Sequence, residues 1–138
     1  MPARDVFHNT VRVALEKDGW AITRDPLYIK VEGLEFYIDL AVKRMLAAEK
    51  AGQTIAVEIK SFLGTSELND YYLALGQFLT YRKALTKKEP DRILYLGISQ
   101  DIYEFFFSNP LIQEMVSDFQ LKLLIFDPMQ EEILLWKE

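Results

Sequence analysis

The chain has 138 residues, of which half are hydrophobic and 13% aromatic, enough apolar material for one packed domain and too much for an intrinsically disordered protein. It has no cysteine, which excludes disulfides and thiolate metal sites. The formal net charge of -5 argues against a protein that binds DNA tightly through a broad basic surface, but a nuclease centre must itself be acidic to hold metal ions.

Targeting signals are absent from the sequence pattern. No apolar run approaches the length of a membrane span, and the first residues lack the apolar segment of a secretory signal. We therefore expect one domain, residues 1–138, in a cytoplasmic protein without membrane contact.

The first third of the chain is predicted to form a helix followed by strands. Apolar side chains recur at helical spacing over residues 4–18, and Gly19 ends this helix. Residues 20–31 are strand-like, with an interruption near Asp25-Pro26. Residues 34–43 alternate in polarity, as a strand with one apolar face does, and that face consists of Phe36, Ile38, Leu40 and Val42.

The middle of the chain is predicted to contain a strand and a long helix. Residues 45–52 form a charged connection that makes at most a helical turn, and residues 54–60 are a strand. Thr65 or Ser66 offers the N-cap of a helix that runs to about Leu85. Its apolar side chains at helical spacing are Leu68, Tyr71, Tyr72, Leu75, Phe78 and Leu79.

The last third alternates strands and helices. Residues 87–91 form a loop, and residues 92–98 are continuously apolar in their middle, as in a strand covered on both faces. Ser99 caps a helical stretch that is broken near Asn109-Pro110. The remaining elements are two strands and the turn between them: 121–126, 133–136 and Asp127-Pro128. The order α-β-β-β-α-β-α-β-β predicts an α/β fold (α+β by some schemes) with a central mixed sheet flanked by helices on both faces.

Charged residues inside apolar strands mark the candidate site. Side chains alternate along a strand, so Glu58 and Lys60 project together while Val57 and Ile59 point to the core. Burial of two charged groups is costly unless they pair or bind an ion. Asp39 lies in a second β-rich segment, and it converges with Glu58 if the two strands are neighbours.

Two converging carboxylates suit Mg²⁺, which needs only one or two protein carboxylates. Such an ion acidifies a bound water and offsets charge on a phosphate under in-line attack. Lys60 would either place a positive charge beside that phosphate or position the attacking water, and the sequence leaves both roles open. The alternative is an ordinary exposed ion pair, because a Glu-x-Lys triplet arises by composition roughly once in every one or two chains of this length.

These residues, with Gln77 and Tyr81 on the next predicted helix, form a pattern that resembles the PD-(D/E)xK superfamily, which includes restriction enzymes, archaeal Holliday-junction resolvases and RecB-like nucleases. The resemblance implies a restriction-endonuclease-like core, catalytic roles for Asp39, Glu58, Lys60 and Gln77, and Mg²⁺ or Mn²⁺ held by Asp39 and Glu58. It also implies that the helix face with Gln77 and Tyr81 lies beside the metal site. A core aromatic for Tyr81 and a solvated or capping amide for Gln77 remain open.

Three further segments are similar to the XisH family over the whole chain: residues 3–8, 56–62 and 75–78. That family is known for a factor that controls excision of the fdxN element in filamentous cyanobacteria, in association with a small partner, XisI, and a site-specific recombinase. The resemblance implies a role in DNA rearrangement, with DNA and a small XisI-type protein as partners and association with a recombinase. A homodimer is left open.

The pattern departs from the superfamily at two positions. His8 stands where many relatives carry a glutamate, and imidazole is a poorer Mg²⁺ ligand than carboxylate. His8 could accept a proton or bind a metal, or it could be a partly buried, hydrogen-bonded histidine. Glu16 is the other acidic candidate on this helix and is expected to be solvated. Ile38, rather than proline, precedes Asp39.

Other polar and aromatic residues are candidates for contacts with DNA or protein. Tyr28 and Lys30 share a strand face and are expected to approach the site as DNA-contact residues. Two basic clusters could touch phosphates, although ordinary surface is favoured for most of their members: Arg4, Arg12, Lys17, Arg24 and Lys30, and Arg82, Lys83, Lys87, Lys88 and Arg92. The aromatic run is expected in the core, with any exposed part suited to a protein interface: Tyr103, Phe105, Phe106 and Phe107.

Three functions follow from these observations. The first is a divalent-metal-dependent endodeoxyribonuclease that acts in excision of a genomic element. The second is a non-catalytic accessory module that keeps the nuclease fold, binds an XisI-type partner and regulates a recombinase. The third is a toxin-like or defence nuclease held in check by its partner.

Overall fold

The computed structural model describes residues 5–44 and 52–138. The predicted first residue of the opening helix, Arg4, lies outside the described residues, as does the predicted connection at 45–52 apart from Gly52.

The described residues form four helices and eight strands. The helices are α1 His8–Lys17, α2 Glu67–Lys88, α3 Gln100–Phe105 and α4 Pro110–Asp118. The strands are β1 Ala21–Arg24, β2 Leu27–Val31, β3 Leu34–Ile38, β4 Leu40–Arg44, β5 Gln53–Ile59, β6 Ile93–Ser99, β7 Leu123–Asp127 and β8 Glu132–Lys137. None of the described helices has the length and apolarity needed to cross a membrane.

Six strands form one mixed sheet in the order β1-β4-β5-β6-β7-β8. The pairs β5–β6 and β6–β7 are parallel and the other neighbours are antiparallel. The prediction of a mixed sheet between helices is confirmed, since α1 packs on one face and α2, α3 and α4 pack on the other. The strands β2 and β3 form a separate antiparallel hairpin.

The predicted strand over residues 34–43 is wrong as a single element, because the chain breaks at Asp39 into β3 and β4. Phe36 and Ile38 belong to the core on the α2 side, whereas Leu40 and Val42 belong to the core on the α1 side. The four residues therefore do not share one apolar face. The predicted interruption at Asp25-Pro26 is confirmed, with a cis peptide bond between these two residues.

The long helix begins where its capping residue predicted. The Ser66 side chain accepts a hydrogen bond from the Asn69 N–H, and the helix runs to Lys88, three residues beyond the predicted end. Of the six apolar residues at helical spacing, Leu68 and Tyr72 are 46% and 59% exposed. The buried stripe of α2 keeps Tyr71 and Phe78 of that set and adds Ala74, Ala84 and Leu85.

The last elements agree with the predicted ones. Ser99 caps α3 through the Ile102 N–H, and Asn109 caps α4, which has Pro110 in its first turn. The aromatic run expected in the core is only partly there: Phe107 is buried, Phe106 and Tyr103 are partly buried, and Phe105 is 80% exposed.

Candidate active site

The register of β4 and β5 brings Asp39 and Glu58 together. Leu40 pairs with Val57, so Asp39, just before β4, lies beside Glu58 in β5. The Asp39 N–H donates to Glu58 Oε1 at 3.2 Å, and the Ile59 N–H donates to Asp39 Oδ2 at 2.7 Å. The two carboxyl groups therefore lie side by side, where β4 begins and β5 approaches its end.

Lys60 completes this group. Its Nζ lies 3.5 Å from Glu58 Oε2, and its backbone N–H donates to the Gly97 carbonyl at 3.0 Å, which extends the β5–β6 pairing past the end of β5. Val57 and Ile59 lie in the core on the α1 side, as strand alternation predicted.

The electrostatics of the pair reflect its burial. Glu58 is only 5% exposed, and this burial, together with the negative charge of Asp39, raises the pKa of Glu58 to about 8. Burial also raises the pKa of Asp39, against the opposing effects of the Ile59 N–H, Glu58, His8 and Lys60. Without a cation, the pair therefore retains a proton at neutral pH, and strongly perturbed carboxyls in a cleft are typical of functional sites.

The carboxyl groups open into a cleft of about 350 Å³. Its lining consists of Asp5, Glu35, Phe36, Tyr37, Asp39, Glu58, Ile59, Lys60, Gln77 and Tyr81. Gln77 and Tyr81 are four residues apart on α2, so both reach the cleft from one helix face. The structure thus brings the four predicted catalytic residues and Tyr81 together around one space.

The two α2 residues have distinct environments. Gln77 Oε1 is buried and has no hydrogen-bond partner among the described residues. Burial, followed by the charges of Glu58 and Asp39, raises the pKa of Tyr81 to about 12, so its hydroxyl stays protonated. The Tyr81 ring also packs edge-on against Phe36 at 6.0 Å between centroids, so Tyr81 is both a packing residue and a cleft residue.

His8 lies behind Asp39, in the first turn of α1. The residue is 4% exposed, its Nε2 lies 2.7 Å from Asp25 Oδ1, and its Nδ1 lies 3.9 Å from Asp39 Oδ1. His8 is therefore the buried, hydrogen-bonded histidine of the second alternative, and its Nδ1 lies near Asp39. Glu16 is exposed.

Tyr28 and Lys30 are not among the described residues that line the cleft. Both are on the exposed face of the β2–β3 hairpin, where the Tyr28 hydroxyl donates to Glu35 Oε1 at 3.0 Å. The Tyr28 ring lies 5.2 Å from that of Tyr37, which does line the cleft. Tyr28 and Lys30 therefore lie next to the cleft rather than in it.

Sequence reasoning missed Asp5 and the contribution of β3. Asp5 Oδ1 accepts from the Phe7 N–H, and Asp5 Oδ2 accepts from the Ser61 N–H, both at 2.9 Å. Asp5 lies inside the helix predicted over residues 4–18, whereas α1 begins only at His8, so the sequence did not predict the first contact. The second, between residues 56 positions apart, had no sequence signal. Glu35 and Tyr37 of β3 also line the cleft, and strand alternation, which places them on the same face as Asp39, was the available signal.

Most arginines of the two basic clusters have protein partners. Arg12 bonds to Asp25, Arg24 to Glu89, and Arg92 to Glu89 and the Ile55 carbonyl. Arg82 donates to the carbonyls of Phe119 and Gln120. These guanidinium groups hold elements together, in line with ordinary structural roles.

The chemistry of the donor set fits a hard divalent cation. Asp39 and Glu58 provide carboxylate oxygens, and Mg²⁺ is commonly held by one or two carboxylates together with water and substrate phosphates. In the part of the chain that the structure describes, no group of three or more His, Asp or Glu side chains is arranged as a metal cage.

Comparison with known proteins adds a family and two solved structures. The model of the XisH protein family matches residues 1–134. The chain is similar to the crystal structure of an XisH family protein from Nostoc punctiforme, with 44% identity over 97% of this chain and 100% of that one and a TM-score of 0.89. It is also similar to an fdxN element excision controlling factor protein from Anabaena variabilis, with 46% identity over 98% and 100% of the two chains and a TM-score of 0.88. No curated protein matches.

Proposed function

Since the chain belongs to the XisH family, we propose that it is a divalent-metal-dependent endodeoxyribonuclease with a restriction-endonuclease-like core, acting in excision of a genomic DNA element. The observation that carries this proposal is the Asp39, Glu58 and Lys60 group in one cleft. The name of the Anabaena variabilis relative, an fdxN element excision controlling factor, supports excision as the process.

Asp39 and Glu58 would hold the cation, Mg²⁺ or Mn²⁺. When bound, the ion would acidify a water molecule and offset negative charge on the scissile phosphate. The raised pKa of Glu58 is consistent with this role. Metal ligands must be deprotonated, so a divalent cation that binds the two carboxylates would displace the proton that the buried pair retains.

The other cleft residues would act on the phosphate and the nucleophile. The Lys60 ammonium, 27% exposed, can reach a phosphate in the cleft and stabilise its developing charge. The Tyr81 hydroxyl remains a hydrogen-bond donor at neutral pH and can bind a phosphate oxygen. The Gln77 carbonyl oxygen has no hydrogen-bond partner within residues 5–44 and 52–138 and can accept a hydrogen bond from the attacking water.

Residues around the cleft would support this centre. His8 Nδ1, on the Asp39 side, adds a nitrogen atom that can bind the cation or accept a proton. Nitrogen donors favour Mn²⁺ over Mg²⁺, so we expect Mn²⁺ to be the better activator. Tyr28 and Lys30 on the adjacent hairpin face would contact DNA beyond the cleft.

The test is cleavage of branched, single-stranded and duplex DNA by the purified full chain with Mg²⁺ or Mn²⁺. We expect Asp39→Asn, Glu58→Gln and Lys60→Ala to lower the cleavage rate by at least about 100-fold, as loss of a group that stabilises transition-state charge does. Lys43→Ala in β4 and Glu16→Gln in α1 are matched controls that remove charges outside the cleft, and they should retain the wild-type rate. Equal cleavage by the wild type and the three site variants would refute the assignment.

A second function, a non-catalytic accessory module, is favoured by one observation. The Phe105 side chain is 80% exposed beside a shallow groove that Phe62, Ile102 and acidic residues line, and an exposed aromatic of this kind suits a protein interface. This function predicts no metal-dependent DNA turnover by the wild type, together with binding of a small XisI-type protein that Phe105→Ala weakens.

A further inference from the structure

We propose that Asp25, held by Arg12, is a positioning residue that fixes the His8 ring with its hydrogen on Nε2 and its bare Nδ1 facing Asp39. The link of this arrangement to catalysis rests on the proposed nuclease function. The arrangement itself rests only on contacts of the described residues.

The first step is the geometry of the carboxylate. His8 and Arg12 are four residues apart, so their side chains share one face of α1. Asp25 lies in the turn between β1 and β2, where its Oδ1 is 2.7 Å from His8 Nε2 and its Oδ2 accepts from Arg12 Nη1. The Asp25 side chain is only 9% exposed. One helix face therefore holds both oxygens of a largely buried carboxylate.

The second step is the direction of the hydrogen bond. A carboxylate accepts hydrogen bonds and donates none, so the hydrogen between Asp25 and His8 belongs to Nε2. A neutral imidazole carries one ring hydrogen, which leaves a lone pair on Nδ1. This tautomer follows from the partner of Nε2, the usual way in which a neighbouring carboxylate sets histidine chemistry.

The third step is the environment of Nδ1. This atom is buried and has no hydrogen-bond partner among the described residues. Asp39 Oδ1 lies 3.9 Å away, while Asp39 Oδ2 is occupied by the Ile59 N–H. Asp39 Oδ1, the oxygen that faces His8, is therefore not bound to the Ile59 N–H. The lone pair of Nδ1 faces the space between the ring and this oxygen. A buried nitrogen without a hydrogen-bond partner lowers the stability of the folded protein. A water molecule or a cation next to Nδ1 would provide the missing partner.

Asp25 also stabilises the fold, because it joins α1 to the turn after β1. A purely structural Asp25 would loosen α1 when replaced, without acting through the imidazole. An Asp25 that orients the His8 ring determines where Nδ1 points and therefore affects the metal affinity of the site. Loss of a carboxylate that orients a metal-binding histidine typically lowers metal affinity 10- to 100-fold. The two roles differ in whether the effect of Asp25 depends on His8.

The first experiment is nitrogen NMR of the imidazole in the ¹⁵N-labelled full chain. The chain has a single histidine, so the ring signals need no assignment. For the neutral ring, we expect one tautomer in the wild type, with the Nε2 hydrogen visible because its exchange with water is slow. Asp25→Ala should mix the tautomers and make this hydrogen exchange rapidly. Asp18→Ala is the matched control, since Asp18 contacts Arg44 at the other end of α1.

A hydrogen on Nδ1 in the wild type, or unchanged spectra in Asp25→Ala, would overturn the proposal. If Asp25→Ala does not fold, Asp25→Asn replaces it, and the wild-type tautomer still decides.

The second experiment is Mn²⁺ affinity by calorimetry. Asp25→Asn should weaken binding at least about 10-fold in the wild type and have no further effect in His8→Ala, whereas equal losses in both backgrounds would reduce Asp25 to a structural role. Absence of Mn²⁺ binding would refute the proposed nuclease, and the spectra would still decide the role of Asp25.

Discussion

At the scale of single residues, Glu58 is the most unusual group in the chain. It is a carboxyl in a central strand, 5% exposed, between two cores and next to a second carboxyl. A nearby lysine and the Asp39 N–H only partly offset the cost of its charge. A residue with this cost is retained for function more readily than for stability.

The raised pKa of Glu58 predicts how stability depends on pH. Between its ordinary value of 4.5 and about 8, the folded protein binds one proton more than the unfolded chain. The free energy of unfolding of the metal-free protein therefore falls as the pH rises through this window, opposite to the effect of a carboxylate with a lowered pKa. Thermal melts in a chelator, at several pH values between about 5 and 8, measure this slope.

Glu58→Gln should flatten the slope, because glutamine does not titrate. Some slope should remain, since the pKa of Asp39 is also raised. The exposed Glu16→Gln variant should melt with the wild-type pH dependence. Identical slopes for Glu58→Gln and the wild type would show that Glu58 is not protonated in the folded state.

At the scale of elements, the strands and caps were predictable, and the break at Asp39 was not. Ser66, Ser99 and Asn109 mark helix starts by their own chemistry, and β5 and β6 are apolar on both faces. The alternating pattern of residues 34–43 continues through Asp39 without a turn signal. At the break, the Asp39 carboxylate accepts a hydrogen bond from the Ile59 N–H, a partner on another strand that the local sequence does not reveal.

The candidate site, too, was predictable only where local sequence spacing determines which side chains meet. The Glu-x-Lys spacing and the four-residue spacing of Gln77 and Tyr81 predicted which side chains would share a face, because strand and helix periods fix this locally. The hydrogen bond between His8 and Asp25 spans 17 residues, and that between Asp5 and Ser61 spans 56. Such contacts are set by packing, so a single sequence does not reveal them.

Asp5 tethers the segment that follows Lys60 to the start of α1. We expect Asp5→Ala to destabilise the protein by about 1–2 kcal/mol, because two backbone N–H groups lose a carboxylate acceptor. Hydrogen exchange should show faster exchange of the Ser61 amide.

Asp127→Ala is the matched control for this tether. Asp127 accepts from the backbone of Met129 and Gln130 two strands away from β5, so its loss should cost comparable stability and leave Ser61 protected. Unchanged exchange at Ser61 in Asp5→Ala would mean that the tether does not hold this segment.

At the scale of the whole molecule, the site lies where three structural units meet. The carboxyl end of β5 lies between the main sheet, the β2–β3 hairpin and α2, and α1 brings His8 from the other face. Ligand sites in sheets with parallel strands commonly lie outside the carboxyl ends of those strands. The fold class was predictable from the order of elements, whereas the separate hairpin that forms one wall of the cleft was not.

The central claim is that Asp39 and Glu58 share a divalent cation. The most direct measurement is anomalous diffraction from crystals of the full chain soaked in MnCl₂, compared with Glu58→Gln crystals soaked in the same way. We expect an anomalous peak in contact with a carboxylate oxygen of each residue in the wild type, and its loss in the variant. Manganese bound only elsewhere, or a peak that the variant keeps unchanged, would contradict it.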